Sequence, residues 1–251
     1  MPAQLNFRDV TLGYDRHPAV HHLSGEVARG ALLAVVGPNG AGKSTLFRGL
    51  VGILKPLSGA ISLDGLDARD IAYLPQTADI DRSFPITVYD FVGSGLWRST
   101  GFFGGISAAH RKAIDKALAA VGLTGFENRT IGTLSGGQLQ RLLFARLMLQ
   151  DARLIVLDEP FNAIDERTSA DLLALVKHWQ AEGRTLIAAL HDIELVRTHF
   201  PETLLLAREP VAWGATAQVL TAENLLSARR MCEAFDDSAA ACVIDPPSRA
   251  A

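Results

Sequence analysis

The sequence contains few cysteines, no long apolar run and no marked excess of charge of one sign. Its two cysteines, Cys232 and Cys242, do not form a CxxC pair, which indicates free thiols and not a disulfide framework or a cysteine zinc site. Apolar runs such as Ala31–Val36 fall well short of the roughly 20 residues that cross a bilayer. A net charge of −3 over 251 residues provides no broad basic field, so nucleic acid is not an expected partner. The first residues lack the basic region and apolar core of a secretory signal, which predicts a cytoplasmic location.

The sequence is nevertheless apolar enough to bury a large core. Hydrophobic residues make up 48% of the chain, and short runs of consecutive apolar residues alternate with helical patterns. Such runs are typical of strands buried on both faces, so the alternation predicts a mostly parallel α/β sheet. Two stretches of polar alternation predict antiparallel strands, which makes the sheet system mixed. The buried strands are predicted at Ala31–Val36, Leu154–Leu157 and Thr185–Leu190, and the antiparallel strands at Leu5–Leu12 and Gly59–Leu63.

The middle of the sequence, from about residue 77 to 133, changes to helical patterns. A Gly/Phe-rich break at Gly101–Gly105 precedes Ser107, which we expect to cap a helix that ends at Gly122. The apolar face of this helix is predicted to consist of Ile114, Leu118 and Val121. We interpret the segment as a helical lobe inserted into one α/β domain that spans residues 1–235. The Ala-rich tail at 236–251 is expected to be flexible.

A glycine-rich loop follows the first predicted buried strand and precedes a helix that is predicted to begin near Thr45. The loop matches the pattern G-x-x-x-x-G-K-[ST] with Gly37, Pro38, Asn39, Gly40, Ala41, Gly42, Lys43 and Ser44. Its glycines allow backbone N–H groups to close around phosphate oxygens, and the helix N-terminus adds a positive dipole. We therefore expect Lys43 to reach the β and γ phosphates of a nucleotide and the Ser44 hydroxyl to bind magnesium.

Two carboxylates follow the second buried strand. In the segment Leu154–Glu159, an apolar run ends in Asp158 and Glu159. One acid at such a place can hold magnesium while its neighbour handles a water molecule. We therefore predict that Asp158 binds the ion through its shell and that Glu159 orients the attacking water or accepts its proton.

A second anion-binding pattern lies at the start of another helix. The segment Leu134–Gln138 reads Leu-Ser-Gly-Gly-Gln and is followed by a helical run at Leu139–Leu149. A serine and two glycines at a helix start can form a nest of N–H groups for an anion, or they can simply cap the helix. A chain that already has one phosphate loop gives the first possibility more weight.

The glycine loop, the Leu-Ser-Gly-Gly-Gln segment and the strand ending in Asp-Glu together resemble the nucleotide-binding subunits of ABC transporters. The resemblance covers roughly residues 5–225 and implies a P-loop NTPase fold of ABC type, ATP and Mg²⁺ as cofactors, and ATP hydrolysis coupled to transport. In that family two subunits hold two ATP molecules between them, head to tail. The resemblance thus implies an ATP-dependent homodimer, in which the partner's γ-phosphate is bound by Ser135, Gly136, Gly137 and Gln138.

Four further residues match positions of the same family in order and in place after strands. Tyr14 resembles the aromatic residue that stacks on adenine, and Gln76 resembles the glutamine that links magnesium to the helical lobe. Asp165 resembles the aspartate of a loop that communicates across the dimer. His191 resembles the histidine that contacts the γ-phosphate. The implied magnesium set is Ser44, Gln76 and Asp158.

The segment from Asp81 to Val92 resembles the corresponding part of ATPases from zinc and manganese importers. The resemblance implies a polytopic membrane permease that docks on the lobe near Phe84, and indirectly a metal-binding extracytoplasmic protein. It places the chain on the cytoplasmic face of the membrane, as a peripheral subunit. The amino-acid sequence of Phe161–Asp165 favours zinc as the imported ion. The alternatives are an importer of manganese or another substrate, a soluble ATPase of iron–sulfur assembly, and a small-molecule kinase with a P-loop.

Overall fold

A computed structural model of the chain describes residues 3–15, 17–76, 80–101 and 105–233. The strands are β1 (Ala3–Tyr14), β2 (His17–Ala28), β3 (Leu32–Val36), β4 (Ser58–Leu63), β5 (Ile71–Leu74), β6 (Leu154–Asp158), β7 (Thr185–Leu190), β8 (Glu202–Ala207) and β9 (Glu209–Ala215). The helices are α1 (Lys43–Leu50), α2 (Val88–Gly93), α3 (Trp97–Thr100), α4 (Ala108–Ala120), α5 (Gly136–Gln150), α6 (Glu166–Ala181), α7 (Ile193–His199), α8 (Thr216–Val219) and α9 (Ala222–Glu233). The described residues fall into two compact units, one within 1–28, 33–65 and 189–251 and the other within 29–32 and 66–188.

The first unit combines antiparallel and parallel strand pairs. An antiparallel sheet has the order β2-β1-β4, with Leu5 of β1 opposite Leu63 of β4. Strand β3 pairs in parallel with β8, which pairs antiparallel with β9. All five residues of β3 are buried, as expected for a strand that is covered on both faces. Helix α1 packs on β1 and β2, whereas α8 and α9 pack on β8 and β9.

The second unit carries most of the helices. Strands β5 and β6 pair in parallel, and β7 lies next to β6 in the sheet order. Helix α5 packs against α2, α4 and α6, and the rings of Phe144 on α5 and Trp179 on α6 stack with their centroids 5.8 Å apart. The many aliphatic residues of α5 are therefore core contacts with three neighbouring helices.

The predicted mixed α/β architecture is confirmed, including the parallel and antiparallel strands. The predicted cap of α4 is confirmed as well, because the Ser107 hydroxyl accepts a hydrogen bond from the His110 N–H. Ile114, Leu118 and Val121 are buried, as predicted. Helix α1 begins at Lys43 and not near Thr45, since the Leu46 N–H already donates to the Gly42 carbonyl at 2.8 Å. The first predicted buried strand, by contrast, begins at Leu32, one residue after the predicted start at Ala31.

Some predictions fall on parts of the chain outside the described residues. These are the beginning of the lobe at 77–79, the centre of the glycine-rich break at 102–104, Cys242 and the tail at 236–251. The insertion of a separate helical lobe stays a prediction. Within the described ranges, no helix has both the length and the apolar character needed to cross a bilayer.

Candidate functional site

The glycine loop of the first unit is closed on itself by its own lysine. The Lys43 Nζ donates to the carbonyl oxygens of Gly37 at 2.8 Å and Pro38 at 3.0 Å. The side chain is buried, with 6% exposed. Gly42 ends the loop with φ at 93°, in the left-handed region, and is the N-cap residue of α1. The first helical turn therefore begins directly at the loop, where an anion gains from the helix dipole.

The shape of this loop requires glycine at two places. A Cβ atom on Gly37 would lie 2.0 Å from the Leu206 carbonyl oxygen, and one on Gly42 would lie 2.5 Å from the Ala19 carbonyl oxygen. Strands β8 and β2 thus hold the two ends of the loop tightly. Between these ends Asn39 and Gly40 are exposed, whereas Ser44 and Thr45 are partly buried in the first turn of α1. The loop backbone therefore lies next to a buried cation at a helix N-terminus, which is a combination that favours phosphate binding.

Two further predicted residues lie in the first unit. Tyr14, at the end of β1, is 44% exposed, and its hydroxyl accepts a hydrogen bond from Arg48 Nη1 of α1 at 3.0 Å. The ring is therefore partly exposed and stands beside the helix that starts at the glycine loop. His191 is exposed and directly follows β7. Asp192 caps α7 through hydrogen bonds from Glu194 and Leu195, which fixes the backbone on the C-terminal side of the histidine.

The second unit contains the acidic pair. Asp158, the last residue of β6, is only 1% exposed, and its Oδ2 accepts a hydrogen bond from the Tyr73 hydroxyl at 3.3 Å. Tyr73 belongs to the neighbouring strand β5, and Gln76 follows two residues after that strand ends. Glu159 has φ at 53°, and its Oε2 accepts from Asn162 Nδ2 at 3.1 Å. The backbone thus turns sharply at Glu159, and the two adjacent carboxylates have different hydrogen-bond partners.

The Leu-Ser-Gly-Gly-Gln segment forms the N-terminus of α5. The Ser135 hydroxyl accepts from the Gln138 N–H at 3.3 Å, and the Gln138 Oε1 accepts from the Ser135 N–H at 2.9 Å. This capping box satisfies two donors of the helix end. The capped helix that the sequence allowed is therefore present, and anion binding by Gly136 and Gly137 stays a prediction. Both glycines face the loop after β6, since a Cβ on Gly137 would lie 3.7 Å from Asp165 Oδ2.

Asp165 is the N-cap residue of α6. Its Oδ1 accepts from the Thr168 N–H at 2.9 Å and its Oδ2 accepts from the Thr168 hydroxyl at 2.8 Å. The pKa of Asp165 is lowered, first by the backbone hydrogen bond and then by the hydroxyl of Thr168, with a smaller effect from the positive charge of Arg141. The aspartate therefore stays ionised and holds the first turn of the helix.

The predicted magnesium ligands are chemically suited to that ion. They comprise a hydroxyl, a side-chain amide and a carboxylate, from Ser44 in the first unit and Gln76 and Asp158 in the second. Magnesium prefers such oxygen ligands and retains some of its water. The buried position of Asp158 suits a charge that a cation neutralises. Each of the three side chains is therefore of a chemical type that suits the ion that the sequence implied.

Sequence reasoning assigned no role to Gln140, which binds the loop between β6 and α6, or to Arg141, which binds helix α6. The Gln140 Nε2 donates to the Pro160 carbonyl at 2.7 Å, and Arg141 donates to Thr168 at 3.0 Å. The signal in the sequence was a glutamine within a largely aliphatic helical run, and its partner 20 residues away could not be read from the pattern.

Comparison with known proteins agrees with this arrangement. The family model described as ABC transporter matches residues 20–162, more than half of the chain. The manganese transport system ATP-binding protein MntB of Listeria innocua is 36% identical over 88% of this chain and 94% of its own length. The zinc transport system ATP-binding protein TroB of Treponema pallidum is 36% identical over 86% of this chain and 82% of its own length.

Solved structures give the same result for the fold. A chain of a transporter assigned to the metal-chelate ABC type, in an inward-facing conformation, has a TM-score of 0.80 and 30% identity, covering 91% of this chain and 90% of its own. The dimeric ATP-binding cassette MJ0796, bound to ADP and phosphate, has a TM-score of 0.75 and 25% identity, covering 84% of this chain and 98% of its own. The chain therefore belongs to the ABC transporter family, as one of its ATP-hydrolysing subunits.

Proposed function

We propose that this ATPase powers the import of a divalent transition-metal ion, and that the ion is zinc. The observation that carries the proposal is the similarity, over more than four fifths of both chains, to subunits named for manganese and zinc transport. The names are divided between the two metals. The amino-acid sequence of Phe161–Asp165 favours zinc. Manganese is the alternative, and the experiment below must distinguish the two metals.

In the proposed ATP cycle the P-loop binds the phosphates of the nucleotide. The two hydrogen bonds from Lys43 to the Gly37 and Pro38 carbonyls exchange for bonds to the β and γ phosphate oxygens, which are stronger because they are charge-assisted. The partly exposed ring of Tyr14 stacks on the adenine. His191 contacts the γ-phosphate. These residues bind and orient the nucleotide before reaction.

Hydrolysis then depends on the residues at the end of β6. Ser44, Gln76 and Asp158 are the residues that would hold Mg²⁺, and the ion would neutralise charge on the phosphate oxygens. Glu159 orients the attacking water and takes its proton. The hydrogen bond from Asn162 to the Glu159 carboxylate fixes one oxygen of the base.

We also propose that each working site needs a second copy of the chain. Ser135 to Gln138 then bind the γ-phosphate on the partner's P-loop, using the positive N-terminus of α5. Asp165 communicates between the two sites, as the resemblance implies. The MJ0796 structure is a dimer, which supports this arrangement for a related cassette.

The surface proposed for the membrane permease lies around Phe84. This side chain is 60% exposed, although it is large and apolar. The chain that follows it is held in place, because Val88 N–H donates to the Arg129 carbonyl and Ile131 N–H donates to the Ile86 carbonyl. Arg82 donates to the Leu134 carbonyl, directly before Ser135. A permease helix on Phe84 would thus push on the segment that leads into α5.

The test is metal uptake by a strain from which the gene has been deleted. Under chelation we expect reduced growth that zinc relieves better than manganese, and we expect cellular zinc to fall. A Lys43→Ala copy should fail to restore uptake because the phosphates lose their cation. Lys177→Ala, on the exposed face of α6, is the matched control and should restore it.

Other results would correct the proposal in specific ways. Relief by manganese alone would replace zinc by manganese. Unchanged cellular contents of both metals, in a strain without a redundant importer, would reject the metal assignment and leave the ATPase assignment intact. Purification of the tagged subunit with iron–sulfur assembly proteins, and without a polytopic membrane protein, would favour the soluble alternative.

A further inference from the structure

The loop between β6 and α6, residues Glu159 to Asp165, has a backbone that requires support from its surroundings. We call it the connecting loop. Glu159 has φ at 53° and Ala163 has φ at 55°, values that residues other than glycine rarely adopt. Within the loop the Asn162 N–H donates to the Glu159 carbonyl at 3.2 Å. Such conformations persist where neighbouring groups hold them in place.

Gln140 of α5 holds the beginning of the connecting loop. Its Nε2 donates to the Pro160 carbonyl at 2.7 Å, in a buried hydrogen bond. The residue is 1% exposed, so removal of its amide takes a buried hydrogen-bond donor from the Pro160 carbonyl. Pro160 immediately follows Glu159, so Gln140 anchors the backbone one residue beyond Glu159, at the peptide between Pro160 and Phe161.

Arg141, the next residue of α5, is linked to the end of the connecting loop through Thr168 of α6. Its Nη2 donates to the Thr168 hydroxyl at 3.0 Å and to Asp171 Oδ2 at 2.9 Å, and its Nη1 donates to the Val121 carbonyl at 3.1 Å. The Thr168 hydroxyl in turn donates to Asp165 Oδ2 at 2.8 Å. A planar guanidinium is thus linked to the cap of α6 through one buried hydroxyl, since Thr168 is 4% exposed.

The N-terminus of α5 lies against the same loop. A Cβ on Gly136 would lie 3.8 Å from the Ala163 carbonyl, and one on Gly137 would lie 3.8 Å from the Thr168 hydroxyl. One helix therefore contributes three things in sequence: the segment proposed for the partner's nucleotide, the anchor of Pro160, and the anchor of the α6 cap.

We propose that Gln140 and Arg141 are positioning residues for ATP hydrolysis, which hold the connecting loop in register with the N-terminus of α5. Through them, Glu159 for the subunit's own nucleotide and Ser135 to Gly137 for the partner's nucleotide move as one body. This rests on the proposed function, because it takes Glu159 as the group that handles the water. Neither residue contacts the nucleotide in this scheme.

The proposal predicts a loss of turnover without a loss of ATP binding. The P-loop belongs to the other compact unit and keeps its own hydrogen bonds when the connecting loop shifts. An interaction that serves only the reacting geometry lowers kcat and leaves KM nearly unchanged. Misplacement of a reacting group by about 1 Å costs on the order of 100-fold in rate, which sets the scale of the expected effect.

The experiment compares Gln140→Met, Arg141→Met and Arg141→Lys with matched controls in the full chain. Gln4→Met removes a buried glutamine, 2% exposed, from β1. Arg184→Met and Arg184→Lys change an arginine whose side chain is 20% exposed, like that of Arg141, and which also binds a carbonyl and a carboxylate. Urea unfolding of every variant measures stability separately from steady-state ATP hydrolysis.

We expect Gln140→Met and Arg141→Met to lower kcat roughly 10- to 100-fold with KM for ATP within about threefold. Arg141→Lys should recover part of the rate, because an ammonium keeps the charge but cannot make all three hydrogen bonds. The controls should keep kcat within about twofold even where they lose similar stability. If Gln140→Met does not fold, the Arg141 and Arg184 pairs carry the test.

A double-mutant cycle with Glu159→Gln separates positioning from a general structural effect. Gln140 acts through Glu159, so its substitution should change the residual rate of the Glu159→Gln enzyme by less than about twofold. Full-sized loss in that background, an equal loss in the controls, or unchanged kcat in both Met variants would overturn the proposal. Undiminished turnover of Glu159→Gln alone would instead reject the assignment of the water base.

Discussion

At the scale of single residues, the central assignment is that of Glu159. The residue follows a buried aspartate at a strand end, its φ is 53°, and one of its oxygens is occupied by Asn162. Glu159→Gln keeps the shape of the side chain and removes its basicity. We therefore expect ATP binding to be kept and hydrolysis to slow by roughly 10²- to 10⁴-fold. Phosphate release measured beside nucleotide binding checks this, and turnover within a few-fold of the parent would remove Glu159 from the role.

Which residues carry chemistry could be predicted from the sequence where a short motif defines the local backbone. The P-loop is such a case, since its glycines, its lysine and the helix start are contiguous, and the close approach of Leu206 to Gly37 explains the first glycine. The hydrogen bond from Gln140 to the Pro160 carbonyl could not be predicted. It joins two segments through a side chain whose length and direction leave no periodic pattern.

At the scale of elements, the buried strands were predicted well because all of their residues are apolar. Runs such as Leu154–Leu157 need burial on both faces, and β6 is buried throughout. The positions at which helices begin were predicted less accurately. Helix α1 begins two residues before the predicted place because Gly42 adopts a left-handed conformation as its N-cap, and no side-chain capping residue marks that position.

The first turn of α6 provides a pH test at this scale. The hydrogen bonds of Thr168 lower the pKa of Asp165, so the ionised carboxylate contributes stability that is present above the pKa of the unfolded chain. That contribution is lost as the pH falls through the lowered pKa of the folded state. Asp165→Asn keeps the cap without the charge. The advantage of the parent over this variant in urea unfolding should thus be largest near neutral pH and shrink below about pH 5; an advantage that is constant with pH would contradict the assignment.

At the scale of the whole molecule, one chain is proposed to be half of a working enzyme. In the proposed scheme each chain supplies a P-loop for its own nucleotide and a Ser135–Gln138 segment for the nucleotide of a second copy. No contact among the described residues of one chain reveals this division of labour. The sequence predicted it through the resemblance to the family, and the capped start of α5 is compatible with it because the helix keeps its positive end.

The most direct test of this claim is ATP hydrolysis by a mixture of two inactive variants. Lys43→Ala damages the P-loop, and Gly136→Asp places a negative charge where a γ-phosphate is to bind. Each homodimer carries its defect in both sites, whereas a mixed dimer collects both defects in one site and leaves the other intact. We expect the mixture to hydrolyse ATP clearly faster than either variant alone, with a dependence on the mixing ratio that is highest near equal amounts. A mixture that is no faster than its parents would contradict sites shared between two chains.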